Sequence, residues 1–465
     1  SVPSKRLHLV AITWPIFVEN LLMALIGVVG LWLASRLSDG AVGALGLANQ
    51  ILGAFQILFR VVSIGTSVVV TQHHGGGDHP GAEQVAKAGL AAAVWVGIGT
   101  LLIVSLGAAQ ILALLHLPKD LYPITLPYTV ALGFALAIDS ITMTMIAVLR
   151  ANTFTRDSMR IVLAMNVVQI AASFPLMFGF AKLPAMGLLG MGLAMVLSRM
   201  FALGLLWRAW RNRLRMTLAL PEWFRLRRLP LASILHIGLP GAGEKVAYRV
   251  SFIMTVAMVA SMGAVPLATH AYVWQAVQVV TLFCNSTGFG TEIVVGHLIG
   301  AGKLNDANRI MWRATIWSLA AMIACAIASY FITPLAVAHA TSDPQILALV
   351  TTIVFIELFL EPGRTFNVVV ASGLRASGDA RFPVKVSAVS VFVFGAGLGW
   401  LLGVHFGMGL PGVWIGYAAD EWVRGLAVTA RWIWLGWVPH ARRAHRRIRV
   451  QRSGRALMKN AAACE

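Results

Sequence analysis

Glu357, Glu361 and Arg364 interrupt a stretch that is otherwise apolar, at spacing i, i+4 and i+7. On a helix that spacing places all three side chains on one face. Two carboxylates one turn apart repel, so one of them is the easier to protonate. Arg364 favours the ionised form of Glu361 and leaves Glu357 as the proton carrier. Pro362 and Gly363 lie between Glu361 and Arg364. They predict a break in the helix near mid-membrane, where freed backbone groups can bind ions or substrate. A carboxyl that gains and loses a proton in apolar surroundings is the chemistry of ion-coupled movement across a membrane.

The same chemistry is open to three further acids. Glu19 and Glu244 each stand four residues after a proline, Pro15 and Pro240, inside apolar runs. Each can carry a proton or pair with a cation; alternatively it bonds to the helical turn that the proline frees. Asp139 has only hydroxyls and apolar residues near it in sequence. The candidate coupling acids are therefore Glu244, Glu357, Glu361, Asp139 and Glu19. Arg60, Arg199 and Arg249 also lie within apolar runs. Arg60 and Arg199 are too central to reach an interface easily. They are expected to pair with Asp139, Glu19 or acids of the other half, or to line a cavity that accepts anionic groups. Asp420 and Arg424 form an i, i+4 pair with Glu421 left over, and Glu292 reads as a capping or loop-pairing acid. Polar and aromatic positions inside the spans complete the candidate substrate-lining set: Arg60, Arg364, Gln50, Tyr248, Trp274, Gln275 and Gln278. Trp and Tyr faces suit flat or cationic compounds, and helix packing is the other use for them.

Long apolar helices must hold these groups. Of 465 residues, 58% are hydrophobic and 12% charged, against about 25% charged in a soluble domain. Apolar runs of roughly 20 residues, the length of a transmembrane helix, recur along the chain, and twelve spans are predicted. The period-2 alternation of a membrane β-barrel is missing. The first run is too long for a signal-peptide core and reads as a retained span. The net charge of +19 does not point to nucleic acid. Lys and Arg crowd one set of flanks: Lys5 and Arg6, Lys87, Arg150, the stretch from Arg208 to Arg228, Lys303, Arg375, and the tail from Arg442 to Lys459. The opposite flanks hold Arg36, Lys119 and Lys182. This bias puts both termini in the cytoplasm. The basic tail then fits an anchor on anionic lipid. Cys284, Cys325 and Cys464 have no motif spacing. Gly75, Gly76 and Gly77 with His73, His74 and His79 lack the Lys-Ser/Thr of a phosphate loop. They read as a tight turn, and neither an enzyme nor a metal or other cofactor is expected.

The chain repeats itself. Pro15 and Glu19 return as Pro240 and Glu244, Gln50 as Gln275, and Gly65-Thr66 as Gly290-Thr291. Gly75 and Gly77 return as Gly300 and Gly302, and Leu149-Arg150-Ala151 as Leu374-Arg375-Ala376. All share an offset of 225 residues. Six spans per copy make a parallel repeat with a pseudo-twofold axis along the membrane normal. The expected organisation is an all-α polytopic membrane protein of twelve helices in two six-helix lobes, 1–208 and 231–437. A cytoplasmic linker spans 209–230 and a basic cytoplasmic tail 438–465. Two such lobes can rock against each other, which is the architecture of alternating access.

Taken together the motifs resemble the multidrug and toxic compound extrusion (MATE) family, within the superfamily that includes lipid-linked oligosaccharide flippases. They are Pro15 with Glu19, Leu37 to Ala44, Gly65-Thr66-Ser67, Gly75 to Asp78, Gly290 to His297, Gly300 to Gly302, and Gly373 to Asp379. The resemblance implies twelve helices in two lobes forming a V, multi-pass in a bacterial inner membrane. It also implies export of organic, often cationic, compounds in exchange for H⁺ or Na⁺. Three positions depart from the family pattern. Where many members carry an acid, this chain has Gly30, Arg364 and, in one branch's seventh-span position, Tyr248. Protons are the expected coupling ion, because the acids sit beside arginines in an apolar shell; Na⁺ would want uncharged oxygens grouped around an acid. The expected partners are a small organic substrate and the bilayer, and the expected state is a monomer. The rival expectation is a flippase for a lipid-linked sugar or another anionic amphiphile.

Overall fold

A computed structural model describes residues 8–114, 119–180 and 184–464. Lys5, Arg6 and Lys182, counted above among the charged flanks, lie outside them. The described residues are helical almost throughout, with no β-sheet. The helices are α1 (Leu9–Ser35), α2 (Asp39–Gly75), α3 (His79–Leu101), α4 (Ala108–Leu114), α5 (Tyr122–Ala151), α6 (Thr155–Phe178) and α7 (Leu188–Arg213). They continue with α8 (Arg228–Ser261), α9 (Ala264–Gly300), α10 (Leu304–Ala340), α11 (Pro344–Ser377), α12 (Arg381–Ser390), α13 (Leu410–Ile433) and α14 (Val438–Cys464). A π-helical turn joins α3 to α4, and two more extend α12 to His405. Among the described residues, ten helical segments are long and apolar enough to cross a membrane. Counted with α8 and α13, which have the length but carry more charge, they make two sets of six.

Several repeat glycines have a common cause. Gly77 and Gly302 follow α2 and α9 at equivalent places, with φ of +69° and +75°. Only a residue without Cβ adopts that conformation freely, so the duplicated glycines mark two copies of one turn. Both turns lead straight into the next helix, α3 and α10.

The chain forms two compact units. One, here the N-half unit, comprises Val18–Thr71 and His79–Leu239. The other, the C-half unit, comprises Ser1–Phe17, Gln72–Asp78 and Pro240–Glu465. The boundaries fall inside α1, just after Pro15, inside α2 at Thr71–Gln72, before α3 at Asp78–His79, and inside α8, at Pro240. The stretch between α7 and α8 is packed within the N-half unit. Lys87 reaches Glu222 at 2.9 Å, and Trp95 donates to the Phe224 carbonyl at 3.0 Å.

Each unit has its own core. Leu33, Leu45, Phe59, Tyr128, Leu132, Leu136 and Met191 pack together in the N-half unit. Val273, Val277, Val350, Ile353, Leu360, Val413 and Trp414 do so in the C-half unit. Long apolar helices bury one stripe against each other, and the polar face positions are left to pair among themselves.

α11 carries Glu357, Glu361 and Arg364. Asp343 caps its start, accepting from the Gln345 amide at 2.9 Å, with Pro344 in the first turn, an arrangement that satisfies amides otherwise orphaned. Gly378, at φ +91°, ends it. The predicted break at Pro362–Gly363 does not occur: α11 runs unbroken from Pro344 to Ser377. The neighbouring helix compensates. Pro362 takes the helical donor from the Leu358 carbonyl, and Trp422 of α13 donates to the adjacent Phe359 carbonyl at 2.7 Å. Gly363 lies so close to α13 that a Cβ would collide with Trp422. A proline is tolerated inside a membrane helix when neighbours satisfy the backbone it disturbs.

Candidate functional site

Unpaired charge is expensive inside an apolar bundle, so the partners of each intramembrane charge define what it can do. In the N-half unit, Glu19 of α1 is 1% exposed and meets Arg150, at the end of α5, at 2.8 Å. Ser158 adds a bond to the same carboxylate at 3.3 Å. Asp139 of α5 accepts from Arg199 Nε of α7 at 2.9 Å, and Arg199 also donates to Gln169 of α6 at 2.6 Å. These acids are each matched by one arginine. The expected pairing of Arg199 with Asp139 is therefore present. Arg60 behaves differently. It is half-buried on α2 and has no acid and no hydrogen-bond partner among the described residues. The charge that acts on it is Arg150, of the same sign.

The C-half unit copies the first of these pairs and alters it. Glu244 and Arg375 stand 225 residues after Glu19 and Arg150, and they pair again, at 3.8 Å. Arg375 also binds Glu292 of α9 at 3.2 Å and donates to Ser372 at 2.8 Å. Two carboxylates now share one guanidinium. Glu292 is thus a buried partner inside the unit rather than a loop cap.

A second network lies along α11 and α13. Arg364 binds Glu361 on its own helix, Glu421 of α13 at 3.5 Å, and the Thr281 hydroxyl of α9 at 2.9 Å. Arg424 binds Asp420 and, at 3.1 Å, Glu421. Asn367 donates to Glu421 at 2.9 Å and Ser390 to Asp420 at 2.7 Å. Tyr248 of α8 lies within electrostatic reach of Arg364, Arg424, Asp420 and Glu421. The helix face predicted from i, i+4, i+7 is real, and α13 supplies its second wall.

Glu357 is the exception in this network. Its side chain is fully buried. It has no salt bridge among the described residues, and one carboxylate oxygen has no hydrogen-bond partner there. Its contact is the Ser329 hydroxyl of α10, at 3.5 Å, and Ser329 in turn bonds Thr333 at 3.1 Å. Four carboxyls, Glu357, Glu361, Asp420 and Glu421, face two guanidiniums, Arg364 and Arg424. Charge balance inside an apolar bundle then favours protons on some of the four, and Glu357 has the least to gain from ionising.

The remaining sequence candidates are dispersed. Trp274 is half-buried and packs against Phe252 with ring centroids 4.5 Å apart, beside the buried His270 and Tyr417. Gln50, Gln275 and Gln278 are exposed on their helices. Thr281, Asn367, Ser390, Ser329 and Thr333 were missed. For the last two a signal existed, a hydroxyl pair at i, i+4 in an apolar run. The tail forms α14 and is docked at the glycine turns. Arg455 meets Asp78, Arg452 donates to the Gly76 carbonyl at 3.2 Å, and His445 contacts the Gly300 carbonyl at 2.9 Å. Arg442, Arg443, Arg446 and Arg449 remain exposed.

Comparison with known proteins places this architecture. The MatE family model matches twice, over residues 15–174 and 240–401, so each copy begins at one of the duplicated prolines. An uncharacterized transporter of Bacillus subtilis, YisQ, is 31% identical over 434 residues, covering 93% of this chain and 95% of its own. A probable multidrug resistance protein NorM of Thermotoga maritima is 25% identical over 430 residues, covering 90% of each chain. Among solved structures, the Vibrio cholerae MATE transporter VcmN in its bent form superposes with a TM-score of 0.81 at 18% identity, covering 94% of this chain and 97% of its own.

Proposed function

The chain belongs to the MatE family of transporters, and we propose that it is a secondary antiporter that exports organic, cationic or amphiphilic compounds in exchange for H⁺ by alternating access. The relatives named as multidrug resistance proteins support the export of organic compounds. The observation that carries the coupling is Glu357: a fully buried carboxyl, without a salt bridge among the described residues, one turn before a Glu361 that is held by Arg364. In its neutral form Glu357 is at ease in this place; in its ionised form it is an uncompensated buried charge. A group of that kind takes a proton when its side of the bundle is closed to water and releases it when water reaches it. Glu361, Glu421 and Asp420 then hold the two arginines in register, and Glu19, Glu244 and Asp139 act chiefly through their arginines. Tyr248 and Arg364 form the substrate-facing rim of this network in this reading, with Trp274, Gln275 and Gln278 as outlying contacts, and Gln50 is a separate candidate contact of the N-half unit.

Na⁺ is the second reading, and one observation favours it. The Ser329 hydroxyl contacts the Glu357 carboxylate and is itself bonded to the Thr333 hydroxyl, the kind of uncharged oxygens such an ion uses. In the same reading the protein works in the bacterial inner membrane as a monomer with both termini cytoplasmic, and the exposed arginines of α14 offer a face to anionic lipid.

The test is uptake of a fluorescent organic cation into proteoliposomes under an imposed pH gradient, then under an imposed Na⁺ gradient. Uptake driven by the pH gradient and lost in Glu357→Gln supports the proposal. Uptake driven by Na⁺ alone selects the second reading, and no uptake under either gradient ends the antiport account.

A further inference from the structure

We propose that Arg60 is the receptor for an anionic group on the bound ligand, so that the compounds handled are amphoteric rather than purely cationic. The inference rests on the transporter reading but not on the identity of the coupling ion.

Five of the other guanidiniums inside the spans are held by acids. Arg150 holds Glu19, Arg199 holds Asp139, Arg364 holds Glu361 and Glu421, Arg375 holds Glu244 and Glu292, and Arg424 holds Asp420 and Glu421. Arg60 has neither an acid nor a hydrogen bond among the described residues. It sits 15 residues before the end of α2, about 22 Å along the axis at 1.5 Å per residue. Arg150 is the charge within its reach, and it repels. A guanidinium carries five donors in a planar fork, and leaving them unused inside a bilayer is costly. Such a group persists where its partner arrives from outside the chain. Being half-buried, Arg60 is open to an incoming group.

The repeat shows that this charge is not needed for packing. The position 225 residues on is Asn285, neutral and half-buried. The neighbouring positions make the close contacts of the scaffold instead. A Cβ on Gly238 would strike the Val61 carbonyl, and one on Gly65 the Ile234 carbonyl. The N-half unit therefore keeps a cation that no acid of its own requires. A carboxylate or a phosphate monoester fits the fork of Arg60 with two parallel hydrogen bonds.

A matched pair of dyes tests this. Rhodamine 19 is the free acid of rhodamine 6G, an ester with the same cationic chromophore, so the two differ in one carboxylate. Binding to the purified full-length protein in phosphatidylcholine nanodiscs is followed by fluorescence anisotropy, with no ion gradient. The native protein is expected to bind the acid more tightly than the ester. Arg60→Gln should weaken the acid about tenfold, the size of one lost charge-assisted contact, and leave the ester within about twofold. Arg60→Lys should recover part of the loss. Thermal melting of Arg60→Gln should be no lower than that of the native protein, because no internal ion pair is removed and a costly buried charge is lost. Repeating the titration with phosphatidylglycerol in the disc separates two sources of the anion. Unchanged affinity for the acid assigns Arg60 to the solute, and competition assigns it to a lipid phosphate; either supports an anion receptor. Failure to bind the acid, equal native affinity for the two dyes, or an equal loss of both in Arg60→Gln overturns the proposal.

Discussion

In the N-half unit Arg150 answers to Glu19 alone; in the C-half unit its counterpart Arg375 answers to both Glu244 and Glu292. The contrast grows along the bundle. Asp139 and Arg199 make a balanced pair, whereas α11 and α13 carry four carboxyls against two arginines. The N-half unit keeps a cation without an acid among the described residues, Arg60, and the α11–α13 network of the C-half unit keeps two more carboxyls than arginines. The pair at the prolines is present in both units, and the remaining charges differ between them in opposite directions. The surplus in each unit, not the shared pair, is where ion and substrate are to be sought.

The largest effect that would sharpen this contrast is expected from Arg364→Ala. It leaves Glu361 and Glu421 facing each other with Arg424 as the one remaining cation, and removing one partner of a buried pair costs about 3–5 kcal/mol. Thermal melting in detergent should show a large loss, partly restored by Glu361→Gln in the same chain. An unchanged melt would mean that Arg364 is not the hub of this network.

The next effect is expected from Asp139→Asn. Arg199 keeps Gln169 at 2.6 Å, so the cost should be smaller, about 2–3 kcal/mol, below the range for a fully uncompensated buried charge. Replacing both Asp139 and Arg199 by leucine should recover most of it, since a balanced pair exchanges well for apolar packing. If the double variant melts lower than the single one, this pair does more than neutralise itself.

The duplicated glutamates should give the smallest and most telling difference. Glu19→Gln strips Arg150 of its one acid, while Glu244→Gln leaves Arg375 with Glu292. Glu19→Gln is therefore expected to destabilise by about 1–2 kcal/mol more than Glu244→Gln. Equal melting temperatures would break the comparison between the two units at its root.

Much of this was legible in the residues themselves. Hydropathy and the offset of 225 located the spans and the repeat, because bilayer thickness and duplication both leave regular marks on a sequence. The face shared by Glu357, Glu361 and Arg364 followed from helical periodicity alone. What lay opposite that face did not. Thr281 and Glu421 meet Arg364 from positions 83 and 57 residues away, and no periodicity encodes which helices become neighbours. The break expected at Pro362 failed for the same reason: the compensating indole of Trp422 comes from another helix. The tail was read as a lipid anchor from its arginines. Its docking on the Gly76 and Gly300 carbonyls depends on turns that had first to be built.

The central claim is that Glu357 carries the proton. Infrared difference spectroscopy of the reconstituted protein across a pH step reads the carbonyl stretch of protonated carboxyls directly. Raising the pH is expected to remove a protonated-carboxyl band in the native protein. That band should persist in Glu361→Gln and be absent from Glu357→Gln at every pH. A pH-dependent band left intact in Glu357→Gln would contradict the claim.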